Sequence, residues 1–130
     1  MQVSTICDCV DNTGVTKVKI IKVYGNSNNR EAKICDRVLV TVVSRNLNVK
    51  NMKDLKRRNK FKIGTMFRAI VVQTKRRFFR YNRTSIKFIR NAVILSNKKS
   101  YPISKKIKGT ITYELAYLYP KVASVSSRIV

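Results

Sequence analysis

Ala69-Ile70-Val71-Val72 and Ala92-Val93-Ile94-Leu95 are two unbroken apolar runs separated by nineteen residues of opposite character. Each run is short, rich in β-branched side chains and free of Gly and Pro, so each reads as a strand that seeks a core. Five cations lie between Lys75 and Arg83: Lys75, Arg76, Arg77, Arg80 and Arg83. Phe78, Phe79 and Tyr81 are interleaved with them, and Lys87 and Arg90 follow on the return. Two core-seeking strands therefore hold out a basic, aromatic hairpin, and whatever it meets must be negatively charged.

The whole chain has the same bias. Twenty-nine Lys and Arg face six Asp and Glu, a formal charge of +23 on 130 residues. Packing so many like charges into one fold is unfavourable unless a polyanion offsets it. Nucleic acid is the best match, because neutralising phosphates with Lys and Arg supplies much of the binding free energy. An anionic membrane or heparin is the competing partner. The length fits one domain, 1–130, with a single core.

The six acids, Asp8, Asp11, Glu31, Asp36, Asp54 and Glu114, are scattered, and histidine is absent. No spacing pairs two carboxylates for acid–base work, and the usual neutral-pH base is missing, so an enzyme is not expected. Asp11 and Asp36 each sit at a turn, where bonding to nearby backbone is the ordinary role. Four glycines are too few for a phosphate-cradling loop. Cys7, Cys9 and Cys35 are an odd number without histidine, which argues against zinc and for small buried hydrophobes in a reducing compartment. No cofactor or metal is expected. No run approaches the roughly 18–20 apolar residues of a membrane span. The opening Met1-Gln2-Val3-Ser4-Thr5 leads straight into strand-like sequence, so no secretory signal is expected.

In chain order, residues 3–10 read as a first strand, and Asp11-Asn12-Thr13-Gly14 as a turn. Lys17 to Tyr24 is a second strand whose apolar alternation slips at Ile20-Ile21, which predicts a bulge. Arg37 to Ser44 is an interior strand rich in β-branched residues. Arg45 to Lys62 carries seven Lys and Arg beyond Arg45 and one acid, Asp54. It reads either as a solvated loop or as a mobile basic loop that orders on RNA. Met66 begins the long strand into the hairpin. Pro102 disfavours a strand after the polar turn at 96–100. Thr112 caps a short helix through Tyr119, Pro120 stops it, and a second short helix follows at Lys121–Ser126. Short strands and turns with a small helical end predict a mainly β fold. Its form is a five- or six-stranded barrel (about 1–100), a protruding basic hairpin and a helical tail (about 101–130).

Several segments resemble the universal large-subunit ribosomal protein fourteen family. Asp11-Asn12-Thr13-Gly14-Val15 is similar to that family's D-N-S-G-A turn, and Ile21-Lys22-Val23 with Gly25 to its I-K-V-x-G. Ala69-Ile70-Val71-Val72-Gln73-Thr74-Lys75-Arg76 resembles A-V-V-V-R-T-K-K. Ser85-Ile86-Lys87-Phe88 and Asn91-Ala92-Val93-Ile94-Leu95 resemble S-x-I-R-F-D-x-N-A-x-V-L. Pro102-Ile103, Lys106-Ile107-Lys108-Gly109 and Glu114-Leu115 resemble P-I-G-T-R-I-x-G-P-V-x-R-E-L, and Lys121-Val122 through Ser124-Val125 the K-I-x-S-L tail. The order is kept over nearly the whole chain. Cys35 stands where the family usually has glycine, which implies a looser turn. Asn82-Arg83-Thr84 replaces a D-G tip. Ser104 and Thr110 replace a Gly and a Pro, and Leu47–Lys60 looks like an insertion.

The resemblance implies a structural, rRNA-binding component of the large subunit near the subunit interface. It implies neighbouring ribosomal proteins, small-subunit rRNA across the interface and, in many lineages, a ribosome silencing factor as partners. Lys75, Arg76, Arg80 and Lys87 would face rRNA from the hairpin, and Arg30 from the loop after the second strand. With the charge reading, Arg77, Arg83, Lys105, Lys106 and Lys108 complete the candidate rRNA-binding set. Heavy use of Lys, Asn, Ile and Tyr, which have A/T-rich codons, points to a mitochondrial ribosome. A plastid or an AT-rich bacterial cytoplasm is the alternative location. A free-standing OB-like RNA-binding protein is the alternative function.

Overall fold

A computed structural model describes residues 1–25, 31–46 and 51–130. Arg30 and the first four residues of Leu47–Lys60 lie outside the described residues. The elements are β1 (Ile6–Cys9), β2 (Val15–Val23), β3 (Arg37–Arg45), α1 (Met52–Lys60), β4 (Met66–Gln73), β5 (Phe78–Phe79), β6 (Ser85–Ile86) and β7 (Ala92–Ser96). The tail adds β8 (Ile107–Ile111), α2 (Tyr113–Leu118), α3 (Pro120–Val125) and β9 (Ser126–Ile129). β1, β2, β3, β4 and β7 form a closed barrel in that order. All neighbours are antiparallel except β1 and β7, whose parallel pairing closes it. The mainly β class, the barrel and the helical tail agree with the sequence, and five strands is the number.

The apolar runs are continuous because both faces of β4 and β7 are covered. Ala69, Val71, Val93 and Leu95 point inward and join Val18, Ile20, Val38, Val40 and Val42 in the barrel core. Ile70, Val72 and Ile94 belong to a second cluster, with Ile107 and Ile111 of β8, Leu115 of α2 and Val122 of α3. Each buried side chain of this size contributes about 1.5–3 kcal/mol against exposure. The tail is thus the outer layer of the barrel wall that carries the hairpin.

The expected bulge lies where the alternation slips. Ile20 pairs with Val40 and Lys22 with Leu39, so Ile21 is the extra residue, and it turns outward. Asp11 fulfils its turn role: its carboxylate accepts from the backbone N–H and hydroxyl of Thr13 and from the N–H of Leu95 (3.0 Å). Asp36 likewise accepts from the N–H of Lys33 at 2.8 Å.

Four expectations need correction. The first strand is shorter than residues 3–10, since Ser4 has φ +72° and breaks the extended run. The basic stretch after β3 is not a loop over its described part. Met52–Lys60 is a helix, because Asn51 accepts from the N–H of Asp54 at 3.0 Å and Lys, Arg, Leu and Met are good helix formers. The tail contains strands as well as helices: β8 and β9 pair in parallel across α2 and α3. The turn before β3 is no looser for having Cys35, which itself adopts the left-handed φ of +76°. Its N–H donates to Val71 O (3.0 Å) and its carbonyl accepts from the Tyr119 hydroxyl (3.1 Å), so neighbours on both sides impose a conformation that favours glycine.

Candidate nucleic-acid interface

The hairpin between β4 and β7 is fastened at its base before it becomes a ladder of its own. Asn91 Oδ1 accepts from the N–H of Lys75 (2.8 Å), while the N–H of Phe88 donates to Thr74 O (3.1 Å). Gln73, nearly buried, joins this base to the tail. Its amide nitrogen donates to Thr110 O (2.7 Å), and its oxygen accepts from Arg90 Nε (3.1 Å). Gly109 sits against this pair with φ +111°; a Cβ there would come within 3.3 Å of Arg90 Nη2. Farther out, β5 and β6 pair over two residues each, Phe78 with Ile86 and Phe79 with Ser85. At the tip the N–H of Arg80 donates to Thr84 O (2.9 Å), and Arg83 takes the left-handed φ of +63°.

Alternation then divides the tip. Phe78 and Arg80 turn toward the protein; Phe79 and Tyr81 stand out from it, Phe79 73% exposed and Tyr81 fully so. Phe78 lines a cleft of about 250 Å³ with Lys33, Arg76 and Arg77. Arg80 is committed inward. Its guanidinium grips both oxygens of Glu114, donates to Val130 O (2.8 Å) and lies 4.2 Å from the centre of the Tyr113 ring. Its side chain is only 10% exposed. Partial burial is the largest single influence on the Glu114 carboxyl and raises it, but the hydrogen bond and charge of Arg80, with hydrogen bonds from the Glu114 backbone and Thr112, together outweigh it, so the carboxyl is held below its ordinary value. Arg76 pairs with Glu31 more loosely, at the surface, and its hydrogen bond lowers that carboxyl too.

Lys75, Arg77, Arg83 and Lys87 are exposed, and among the described residues none of them is in an ion pair. Lys105, Lys106 and Lys108 are likewise exposed. They lead along the start of β8, from beside Asn12 to the hairpin base at Gly109 and Gln73. An exposed row of cations around a fixed hairpin has the charge and spacing that phosphate neutralisation requires.

The family model described as ribosomal protein L14p/L23e matches residues 1–130. The chain belongs to this family. As an L14 protein it is a structural component of the large ribosomal subunit, not an enzyme, with rRNA and other ribosomal proteins as its partners.

The cysteines of this L14 chain are buried or half-buried. The three cysteines are free thiols. Burial pushes Cys7 and Cys35 up to about 12, and Cys9 higher still, so all three stay protonated and unreactive at neutral pH. No group of three or more metal-binding side chains occurs among the described residues, and no described helix is long and apolar enough to cross a membrane. The structure brings Lys75, Arg76, Arg77, Arg80, Arg83 and Lys87 onto one hairpin, with Lys105, Lys106 and Lys108 on the adjoining segment. Arg30 lies outside the described residues. Sequence reasoning missed the acids that claim two of these arginines, Glu31 and Glu114, because both pairings are long-range. It also missed the basic helix α1, for which Asn51 followed by Asp54 was the available capping signal.

Proposed function

We propose that this L14 protein binds large-subunit rRNA near the subunit interface, with the hairpin as its main contact. One observation carries the reading: in a chain matched end to end by the L14 family, the exposed hairpin cations Lys75, Arg77, Arg83 and Lys87 have no carboxylate partner among the described residues. Lys and the planar guanidinium of Arg suit phosphate oxygens, the latter with two parallel hydrogen bonds. Arg76 is reachable beside its surface pair, and Lys105, Lys106 and Lys108 extend the contact along β8. Arg80 acts differently: it spends its donors on Glu114 and Val130 and so holds the hairpin at the angle from which the others reach RNA. Phe79 and Tyr81 are free to stack on unpaired bases. The mechanism is charge neutralisation and shape fitting.

Heavy use of Lys, Asn, Ile and Tyr, residues with A/T-rich codons, supports a mitochondrial ribosome. Small-subunit rRNA across the interface, and a silencing factor on the tail, complete the proposed partners. Gradient sedimentation of a tagged chain tests the reading. It is expected to travel with large subunits at physiological salt and to be released as salt rises. A chain found at the top of the gradient at physiological salt is instead a free-standing RNA-binding protein.

A further inference from the structure

A second cationic site lies away from the hairpin, where α1 approaches the segment leading into β8. A cleft of about 330 Å³ is lined by Arg57 and Lys60 of α1, by Lys105, and by Asn12, Thr13 and Ser104. The space is far larger than a single water needs and can admit a phosphate group. The three cations come from two chain segments 45 residues apart, counting Lys60 to Lys105. Among the described residues none of them is ion-paired.

Asp11, next to Asn12 in the cleft wall, is not available to them. Both oxygens of Asp11 are taken, one by Thr13 and the other by the N–H of Leu95. Ser104 is turned to local work as well: its hydroxyl accepts from the N–H of Asn12 (2.9 Å) and donates to Lys106 O (2.9 Å), which fixes the turn that carries Lys105. Three like charges held around one hollow repel each other until an anion enters.

The helix is also placed rather than buried. None of its residues is buried. Nine residues are too few for a stable isolated helix in water, so its anchors matter. Phe61 just beyond it packs into the barrel core and meets the Phe67 ring at 5.3 Å. Arg45 donates to Arg58 O and to Phe61 O (2.9 Å), capping the last turn. The Lys60 ammonium lies over the Phe61 ring at 5.5 Å, which aims it. At 100° per residue, Lys53, Lys56, Arg57 and Lys60 fall on one stripe about 100° wide. That stripe runs along the helix from its exposed end into the cleft.

We infer that the cleft between α1 and the Ser104–Lys105 turn seats one phosphate of an RNA backbone, and that the Lys53–Lys56 end of the stripe follows the same strand outward. The inference rests on the reading of the chain as rRNA-binding and adds a site separate from the hairpin. A carboxylate-rich protein segment is the competing occupant, but a row of cations that form no ion pair among the described residues suits a regularly charged backbone better.

The test is filter binding of the full chain to a transcript of its own large-subunit rRNA across a salt series. The probe variant is Arg57→Gln/Lys60→Gln/Lys105→Gln. The charge-matched control is Lys17→Gln/Lys19→Gln/Lys22→Gln, on the exposed face of β2. The probe variant is expected to lower the slope of log affinity against log salt by about 0.7–0.9, the value for one phosphate. The control is expected to leave the slope unchanged. Equal slopes in wild type and probe variant overturn the cleft as an RNA site while wild-type binding preserves the wider reading. Should the variant bind rRNA normally yet enter subunits poorly, an acidic protein segment is the occupant. Salt-independent binding by the wild type removes both readings together. All three substituted residues are exposed, and the single variant Lys105→Gln, outside the helix, repeats the test without touching α1.

Discussion

The hairpin and helix α1 are both basic projections, but they are built in opposite ways. The hairpin grows from two strands whose faces are both covered, and its base and tip are tied to the tail through Gln73 and Arg80. Helix α1 has no buried residue, and among the described residues its anchors are Phe61 and Arg45 at its C-terminal end. The difference separates two uses of a cation. Arg80 and Arg45 spend their hydrogen bonds inside the protein and position an element. Lys75, Arg77, Lys87, Arg57 and Lys60 leave their charge to the surroundings.

The largest effect should come from the foundation of the hairpin. Ile94→Ala removes a fully buried side chain from the cluster beneath the tail, and a loss of about 2–5 kcal/mol in urea melts is expected. A loss below about 1 kcal/mol would mean that the outer face of β7 is not core, and the contrast with α1 would fail.

A smaller effect is expected from the Arg80–Glu114 grip. Arg80→Ala should cost about 1–2 kcal/mol at neutral pH, near the low end for charge-assisted bonds because water reaches Glu114. The pH dependence has a definite sign. Glu114 is held below its ordinary value in the fold, so its contribution is full above the unfolded value of about 4.3 and is lost as pH falls through the lower folded value. Glu114→Gln should therefore flatten the stability profile in that acidic window and leave the profile above pH 6 parallel to wild type. A variant as acid-sensitive as wild type there would assign the effect to another carboxylate, with Glu31 the first alternative.

The smallest effect belongs to the helix. Asn51→Ala removes the N-cap and should destabilise α1 locally by about 1 kcal/mol. Faster amide exchange over residues 53–60, with exchange in β4 and β7 unchanged, is the expected pattern. Simultaneous acceleration in the barrel would show that α1 is part of the core's cooperative unit.

What the sequence made legible follows from locality. The β2 bulge could be read because Ile20-Ile21 breaks a period of two within a few residues. Thr112 and Pro120 mark helix boundaries by their own chemistry, and Thr112 does cap α2 by accepting from the Leu115 N–H. β8 and β9 escaped notice because neither alternates cleanly. Gly109 with positive φ interrupts β8, β9 is Ser-Ser-Arg-Ile, and their partnership spans two helices. Helix α1 was hidden for a related reason: it buries nothing, so no apolar stripe announces it. At the interface, residue type identified the cations but not their commitments. Arg80 and Arg77 look alike in sequence, and only the fold brings Glu114, 34 residues away, to one of them.

The separation of positioning from RNA-facing cations is tested most directly by salt-dependent binding to the large-subunit rRNA transcript. Lys75→Gln/Arg77→Gln/Lys87→Gln should lower the salt slope by roughly 2–3, at 0.7–0.9 for each phosphate that is no longer neutralised. Glu114→Gln, which loosens the Arg80 grip without removing a cation, should weaken binding with little change in slope. Equal slopes for the triple variant and wild type would contradict the hairpin's role as the phosphate-binding element.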